Sequence, residues 1–473
     1  MDGIKAISHL GMNGPMNIYT RRSHLPVPVA KLFAWHARNG AIQRLTPPWA
    51  PMTLRWRQGK GVDKGVRVGF DMRVLGIPMI WEAEHIDFCH NRMFKDRQVK
   101  GPFSRWEHTH LFSPAGEDGT IMTDQVAYEL PMGRLSTPLY YFARKELVRM
   151  FDYRHRVLAH DLIHYADQMP PIRILMSGAS GSIGSALVPF LRTCGHEVIR
   201  LVRHGGPLAE DEVFWDPYNG ILDLTAIDPV DAVINLNGKD ISRGKWTAGQ
   251  KQAIIDSRIQ PTRLLVKKMR EMDQPPEVFV CASAIGFYGE GADAVITETN
   301  SAGTSFISRV CHEWEQASVP AQAAGIRTVQ LRIGVVLTPA GGALARMLPA
   351  FATGCGARLG KGGQYMSWIS MDDTLGSMCH ILKNKGITGP VNLTAPAPVT
   401  NQQFTRILAK VLSRPGVFAI PEWIATRLWG EMGRETLLTS ARVVPEKLVK
   451  SRFAFQYPDL EGALRHLLGR TES

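Results

Sequence analysis

The chain has 473 residues, too many for one ordinary core, so two or three domains are expected. Hydrophobic residues at 44% with charged residues at 21% exclude a disordered or fibrous chain, and no run approaches the roughly 18 uncharged apolar residues of a membrane span. The net charge of +12 comes without a block of five successive basic residues, which describes a basic surface and argues against a nucleic-acid partner.

Met1–Asn17 has no basic stretch followed by an apolar core, so no secretory leader is expected. Candidate strands follow at Asn17–His24, Met52–Gln58, Arg67–Val74, Met79–Phe88, Arg92–Val99, Ser104–Ser113 and Thr120–Glu129, separated by turn-forming Gly, Pro, Asn and Asp. A short helix, Val29–His36, interrupts them early. A long one, Thr137–Gln168, closes the region, with Leu139, Phe142, Leu147, Met150, Phe151, Val157, Leu158, Leu162 and Ile163 near helical spacing. Residues 1–165 carry 23 Lys+Arg against 15 Asp+Glu, a bias that sets this module apart. The order strand, short helix, about six strands, long helix predicts an α+β domain over 1–168 in which a curved sheet grips the last helix.

That order, together with Ser23-His-Leu-Pro-Val-Pro-Val-Ala-Lys-Leu-Phe33, resembles the START-like (SRPBCC) superfamily of polyketide cyclases, dehydrases and lipid-transfer domains, which have the helix-grip fold. The resemblance implies an internal cavity for a small apolar or amphipathic molecule. His36, Arg38, Arg44 and Trp49 are candidates for its mouth, or else packing and surface residues.

Met169-Pro-Pro171 marks the boundary to a second domain, 171–473. The apolar run Ile172-Arg-Ile-Leu-Met-Ser177 leads into Gly178, Ala179, Ser180, Gly181, Ser182, Ile183 and Gly184, which open an amphipathic helix, Ser182–Thr193. Glycines between a strand and a helix let the backbone turn tightly and approach a pyrophosphate, which the free N–H groups of the helix start then bind. The next strand, Glu197–Val202, ends without the carboxylate that holds an NAD ribose; Arg203 stands there instead, suited to a 2′-phosphate. NADP(H) is the expected cofactor. Asp231–Gly238, Glu277–Ala284 and Thr328–Leu337 read as further buried parallel strands, so Leu236, Asn237, Gly238, Ser283 and the stretch Arg332–Val335 should face the cofactor or its neighbour. The glycine-rich stretch after Leu337 reads as a small C-terminal substrate lobe, and Pro415–Leu438 as a turn and a helix with exposed apolar character.

Several segments carry a second resemblance: Asn235-Leu-Asn-Gly238, Asp256-Ser-Arg258, Ser283-Ala-Ile-Gly-Phe-Tyr-Gly289, Trp314-Glu315, Leu331–Leu337, Gly360–Ile369 and Asn392–Pro396. They look like the epimerase-like, atypical subfamily of extended short-chain dehydrogenases, a Rossmann fold often labelled nucleoside-diphosphate-sugar epimerase or cell-division inhibitor, with a DUF1731-type C-terminal region. It implies NADP(H) contacts at Arg203, Leu236, Asn237 and Arg258 beside the glycine loop.

Active members of the wider family use Tyr-x-x-x-Lys on the helix after the Ser283 strand. The matching helix, Ser305–Glu315, has neither residue. Ser283 and Tyr288 are the hydroxyls left as catalytic candidates, with Glu298, Arg309 and His312 as nearby titratable groups. Two readings stay open: an NADP(H)-dependent oxidoreductase or epimerase-like enzyme with an atypical proton donor, and a non-catalytic NADP(H)-binding regulator or sensor. The six cysteines are scattered with no C-x-x-C pair, so neither a disulfide framework nor a metal is expected, and a cytoplasmic location is.

Overall fold

A computed structural model describes residues 17–50, 52–74, 76–131, 136–225, 227, 229–242 and 244–470. The segment read for a leader lies almost wholly outside them. By its internal contacts the chain forms two units, one ending at Gln168 and taking in Arg192–Gly195, the other holding the remainder from Met169 onward.

In the first unit, β1 (Asn17–Leu25) is followed by α1 (Val29–Ala37), the single turn α2 (Ala41–Arg44), then β2 (Met52–Gln58), β3 (Arg67–Val74), β4 (Ile77–Cys89), β5 (Met93–Lys100), β6 (Arg105–Pro114), β7 (Thr120–Glu129) and α3 (Thr137–His164). The seven strands form one sheet in the order β1-β7-β6-β5-β4-β3-β2, each neighbour antiparallel. Alternation along β7 buries Thr120, Met122, Asp124, Val126 and Tyr128 on one face. α3 packs on that face through Leu147, Phe151, Leu158 and Leu162, whose spacing of four, seven and four residues keeps them on one helical stripe. Burying each contributes roughly 1.5–3 kcal/mol. The apolar stripe is shorter than the sequence suggests. Leu139, Phe142 and Ile163 are exposed, and the helix stops at His164, three residues before Asp167 adopts a left-handed φ of 57°.

The second unit runs β8 (Arg173–Ser177), α4 (Gly184–Thr193), β9 (Glu197–Val202), β10 (Glu212–Asp216), β11 (Ile221–Leu222), β12 (Ala232–Asn235), α5 (Ala248–Glu271), β13 (Val278–Ala284), β14 (Val295–Ile296), α6 (Phe306–Gln322), β15 (Arg327–Ile333), β16 (Val335–Leu337), α7 (Gly342–Ala352), β17 (Ala357–Leu359), β18 (Tyr365–Met366), β19 (Trp368–Ser370), α8 (Met371–Lys383) and β20 (Gly389–Leu393). Its main sheet has the order β11-β10-β9-β8-β12-β13-β15-β20, parallel except at the β10–β11 edge. Every residue of β12 is buried, as are six of the seven in β13, because helices cover both faces of a parallel sheet. The strand order reverses between β8 and β12, and their carboxyl ends open the crevice in which such sheets bind ligands.

Thr328–Leu337, read as one strand, is two. Gly334 breaks it: its amide donates to Leu393 O at 3.0 Å, and a Cβ there would lie 2.7 Å from Ser367 O. β15 therefore stays in the main sheet while β16 leaves it to pair with β19. β12 spans Ala232–Asn235, and the segment read to Gly238 ends in a small loop, as expected. The C-terminal lobe has its own core of Leu337, Leu344, Phe351, Trp368, Phe404 and Leu464. These join α7 to α9 (Asn401–Leu412) and, after α10 (Glu422–Met432) and α11 (Glu446–Lys450), to α12 (Leu460–Leu467). Trp423 and Leu428 of α10 are exposed. Among the described residues no helix is long and apolar enough to cross a membrane.

Candidate functional site

Ser177 ends β8, and Gly178 turns the chain with a φ of 76°, a value costly for any residue with a Cβ. A side chain there would also meet the backbone carbonyl of Leu236 at 2.7 Å, so the loop after β8 and the loop after β12 close together only because residue 178 is glycine. Gly181 N–H donates to Gly178 O at 3.1 Å, which tightens the turn into α4. Among the described residues, the amides of Ala179, Ser180, Ser182 and Ile183 donate to no other group. Four free donors at a helix start form an anion site, and these residues fit a dinucleotide pyrophosphate.

A buried polar chain fixes the second loop. Ser177 Oγ donates to Asn235 Oδ1 at 3.0 Å, and Asn237 Nδ2 donates to Ser177 Oγ at 2.6 Å and Asn235 Oδ1 at 2.8 Å. Asn235 Nδ2 reaches Thr262 Oγ1 at 2.8 Å, and Trp314 Nε1 donates to the same oxygen at 3.1 Å. Arg258 supports the loop from α5: its guanidinium donates to Lys239 O at 3.1 Å and Ile254 O at 2.9 Å, 5.1 Å above the Trp314 ring. Burial pulls its pKa down. The structure thus gathers Gly178–Gly184, Leu236, Asn237, Gly238 and Arg258 around one crevice. Arg203 follows β9, exposed and without a bonded partner among the described residues, whereas Arg200 on that strand is held by Asp211 at 2.6 and 2.9 Å.

Ser283 and Tyr288, at and after the end of β13, are both buried. Ser283 Oγ donates to Glu315 Oε1 at 2.7 Å. Glu315 accepts from Arg332 Nε and Nη2, both at 2.9 Å. Arg332 Nη1 donates to Tyr288 Oη at 2.9 Å, and Tyr288 donates to Asn392 Oδ1 at 2.7 Å. Glu298 Oε1 accepts from the amides of Asn392 and Lys447, while its Oε2 is buried without a hydrogen-bond partner among the described residues. Burial raises the Tyr288 phenol above its usual pKa, against the lowering effect of Arg332. The two expected hydroxyls are therefore joined in one hydrogen-bonded chain through Glu315 and Arg332; Arg332 lies in the stretch expected near the cofactor, whereas Glu315 is an addition from the structure.

α6 turns Ile307, Cys311 and Glu315 toward the end of β13. Gly286, in the turn after that strand, lies against the Ile307 side chain, and a Cβ at 286 would stand 3.9 Å from Cys311 Sγ. Ser308 Oγ of the same helix donates to Gly286 O at 3.0 Å, and among the residues of α6 that reach this turn there is no tyrosine or lysine. Burial pushes the Cys311 thiol up to about 12, so it is neutral and inert near pH 7. His312 and Arg309 are exposed on the same helix, away from the chain of bonds.

Residues 174–393 match the NAD dependent epimerase/dehydratase family, and residues 420–467 a domain of unknown function, DUF1731. An epimerase family protein of Mycobacterium bovis is 42% identical over 297 residues, covering 63% of this chain and 98% of the relative. The chain belongs to the NAD-dependent epimerase/dehydratase family. The Bacillus subtilis epimerase family protein YfhF is 34% identical, with 63% of this chain and 98% of the relative covered. Among solved structures, a Corynebacterium glutamicum nucleoside-diphosphate sugar epimerase shares 30% identity at a TM-score of 0.77, covering 95% of this chain and 90% of its own. The human epimerase family protein SDR39U1, solved with NADPH, shares 28% identity at a TM-score of 0.58, covering 63% of this chain and 99% of its own. The crevice of this family member is that of a nicotinamide-dinucleotide-binding Rossmann fold.

The four candidates for a ligand mouth in the first unit each have a bonding or packing partner of their own. Arg44 is buried in a two-bond pair with Asp161, at 2.7 and 2.9 Å, and Trp49 lies against Tyr153 and under Arg149. Arg38 bonds Asp167, and His36 Nδ1 is tied to Leu32 O in its own helix at 2.9 Å.

Proposed function

We propose that this protein is an NADP(H)-dependent oxidoreductase of the epimerase type that handles the substrate proton through Ser283 backed by Glu315. The observation that carries this reading is the 2.7 Å bond from the buried Ser283 hydroxyl to a carboxylate, at the strand end where substrates of this fold stand. In the bound state the amides of the Gly178–Gly184 loop, with Leu236, Asn237 and Gly238, hold the dinucleotide, and Arg203 takes the 2′-phosphate. The nicotinamide supplies or accepts a hydride. As a substrate hydroxyl is oxidised its proton passes to Ser283 Oγ while the Ser283 proton passes to Glu315, which Arg332 holds in place; reduction runs the same transfers backwards. Tyr288 bounds the same pocket from the following turn. The first unit, read as START-like, holds a small apolar or amphipathic molecule, consistent with its long helix laid on a seven-stranded antiparallel sheet.

NADPH oxidation against a panel of carbonyl compounds tests the reading. Ser283→Ala should lower turnover by about 10²-fold, the range for one acid–base group, with NADPH affinity unchanged. Full activity in that variant would remove Ser283 from the mechanism. A second reading, an NADP(H)-dependent sensor, draws on the absence of tyrosine and lysine from α6; it is favoured if the wild type binds NADPH tightly and turns over nothing on the panel.

A further inference from the structure

Inside the first unit, the sheet face under α3 is not purely apolar. Strand pairing sets His85 opposite Asp96 and Asp96 opposite His108, a straight row across β4, β5 and β6. Two residues along β6, on the same face, His110 stands opposite Asp124 of β7. One nitrogen each from His108 and His110 and one oxygen from Asp96 lie within 4.8 Å of one another. Two ligand atoms on one ion, each about 2.1 Å from it, sit roughly 3–4 Å apart, so this trio stands close to the spacing of a shared ion.

The hydrogen bonds around the trio are incomplete. Asp124 is anchored from the helix side: His155 Nε2 bonds its Oδ2 at 2.6 Å, and His155 Nδ1 meets Ser23 Oγ at 2.7 Å. Its Oδ1 meets His108 Nε2 at 3.1 Å. His110 Nδ1 stands 2.6 Å from that oxygen, yet without the alignment of a hydrogen bond, and His108 Nδ1 is 3.5 Å from Asp96 Oδ2. Beside them His36, 6% exposed, leaves Nε2 without a partner among the described residues, its ring 5.8 Å from that of His110; His85 Nδ1 is also unpartnered. Buried polar atoms are almost always satisfied, so the unpartnered nitrogens of His36 and His85 beside this trio leave bonding capacity unfilled in the interior.

We propose that the first unit binds a divalent first-row transition metal ion through Asp96, His108 and His110. Imidazole and carboxylate together suit Zn²⁺ and its neighbours over Mg²⁺ or Ca²⁺, which prefer oxygen donors alone. Asp124 is the outer partner that orients the histidines, itself held by His155. Three protein ligands leave a position open for water or for an oxygen of a bound molecule, so the ion gives this interior a polar point of attachment.

The test uses the full chain, stripped with EDTA and desalted, then titrated with Co²⁺ and with Zn²⁺. One equivalent of Co²⁺ should bind with visible d–d absorption, and Zn²⁺ should displace it. His108→Ala and His110→Ala should each weaken binding at least tenfold, the lower end of what even an outer partner contributes, and Asp124→Asn by about 10–100-fold. His312→Ala, on the exposed face of α6, should bind as the wild type does. Should an alanine variant lose its folded circular dichroism, His110→Gln replaces it and is read against the wild-type titration. Substoichiometric or featureless Co²⁺ uptake by the wild type overturns the proposal, as does unchanged uptake in the folded His108 and His110 variants.

Discussion

Arg332 grips Glu315 by two parallel hydrogen bonds, Nε to Oε1 and Nη2 to Oε2, each 2.9 Å long, and both side chains are nearly excluded from solvent. A buried pair of this geometry is costly to break on one side, because the remaining charge is stranded. Arg332→Met should destabilise the protein by about 3–5 kcal/mol, read from urea or thermal unfolding. A loss below about 1 kcal/mol would mean that water reaches Glu315 and that the pair is not the anchor of the site.

Cofactor choice rests on a different arginine. Arg203→Ala should weaken NADPH by about 1–3 kcal/mol, the scale of a charged hydrogen bond, and leave NADH affinity as it was. Isothermal titration of both cofactors against both proteins measures this, and equal wild-type affinities for the two would show that Arg203 reads no phosphate.

Gly178→Ala combines a left-handed backbone with a contact on Leu236. The left-handed conformation alone costs roughly 1–2 kcal/mol for an L-residue, and the contact forces the two loops apart. Loss of NADPH binding with the secondary structure intact is the expected result. Unchanged affinity would place the pyrophosphate elsewhere.

Tyr288→Phe removes one hydroxyl that serves two buried partners, Arg332 and Asn392. Leaving these groups unsatisfied costs about 1–3 kcal/mol. A melting temperature that does not move, with turnover reduced, would instead assign Tyr288 to catalysis and not to the framework.

Burial lowers the His36 pKa to about 4 from an ordinary 6.5. The unfolded chain therefore binds the extra proton first as pH falls. Stability is intact above about pH 6.5, declines through the window from 6.5 to 4, and has lost at most about 3 kcal/mol below it. In metal-free protein, His36→Phe should flatten this part of the stability profile; an unaltered slope would give the titration to other groups.

The glycine turn between β8 and α4 was legible from sequence because its determinants are local. Gly178 to Gly184 are consecutive, and the strand before and helix after them announce the turn. Asn237 and Gly238 could be placed because ligands gather at strand ends. The Ser283 chain was not legible in the same way. Its links join residues 32, 17, 44 and 104 positions apart, on elements whose register only the folded sheet defines. Glu315 stood in a recognised segment, but nothing local marked its carboxylate as turned toward Ser283. The edge strands β10 and β11 also escaped notice, being short and outside the buried apolar pattern. His108-Thr-His110 offered a signal in plain view, two imidazoles on one face of a strand, but its carboxylate partners lie on neighbouring strands that spacing alone does not bring alongside.

Gly286 couples the turn after β13 to the face of α6 beneath it. The turn after β13 has closed down on Ile307, and Cys311 fits beneath it as a small neutral residue. Ser308 ties the same turn to the helix through its bond to Gly286 O. A side chain at 286, or a larger one at 307, would press the turn and α6 apart, and the strand end that carries Ser283 would feel it.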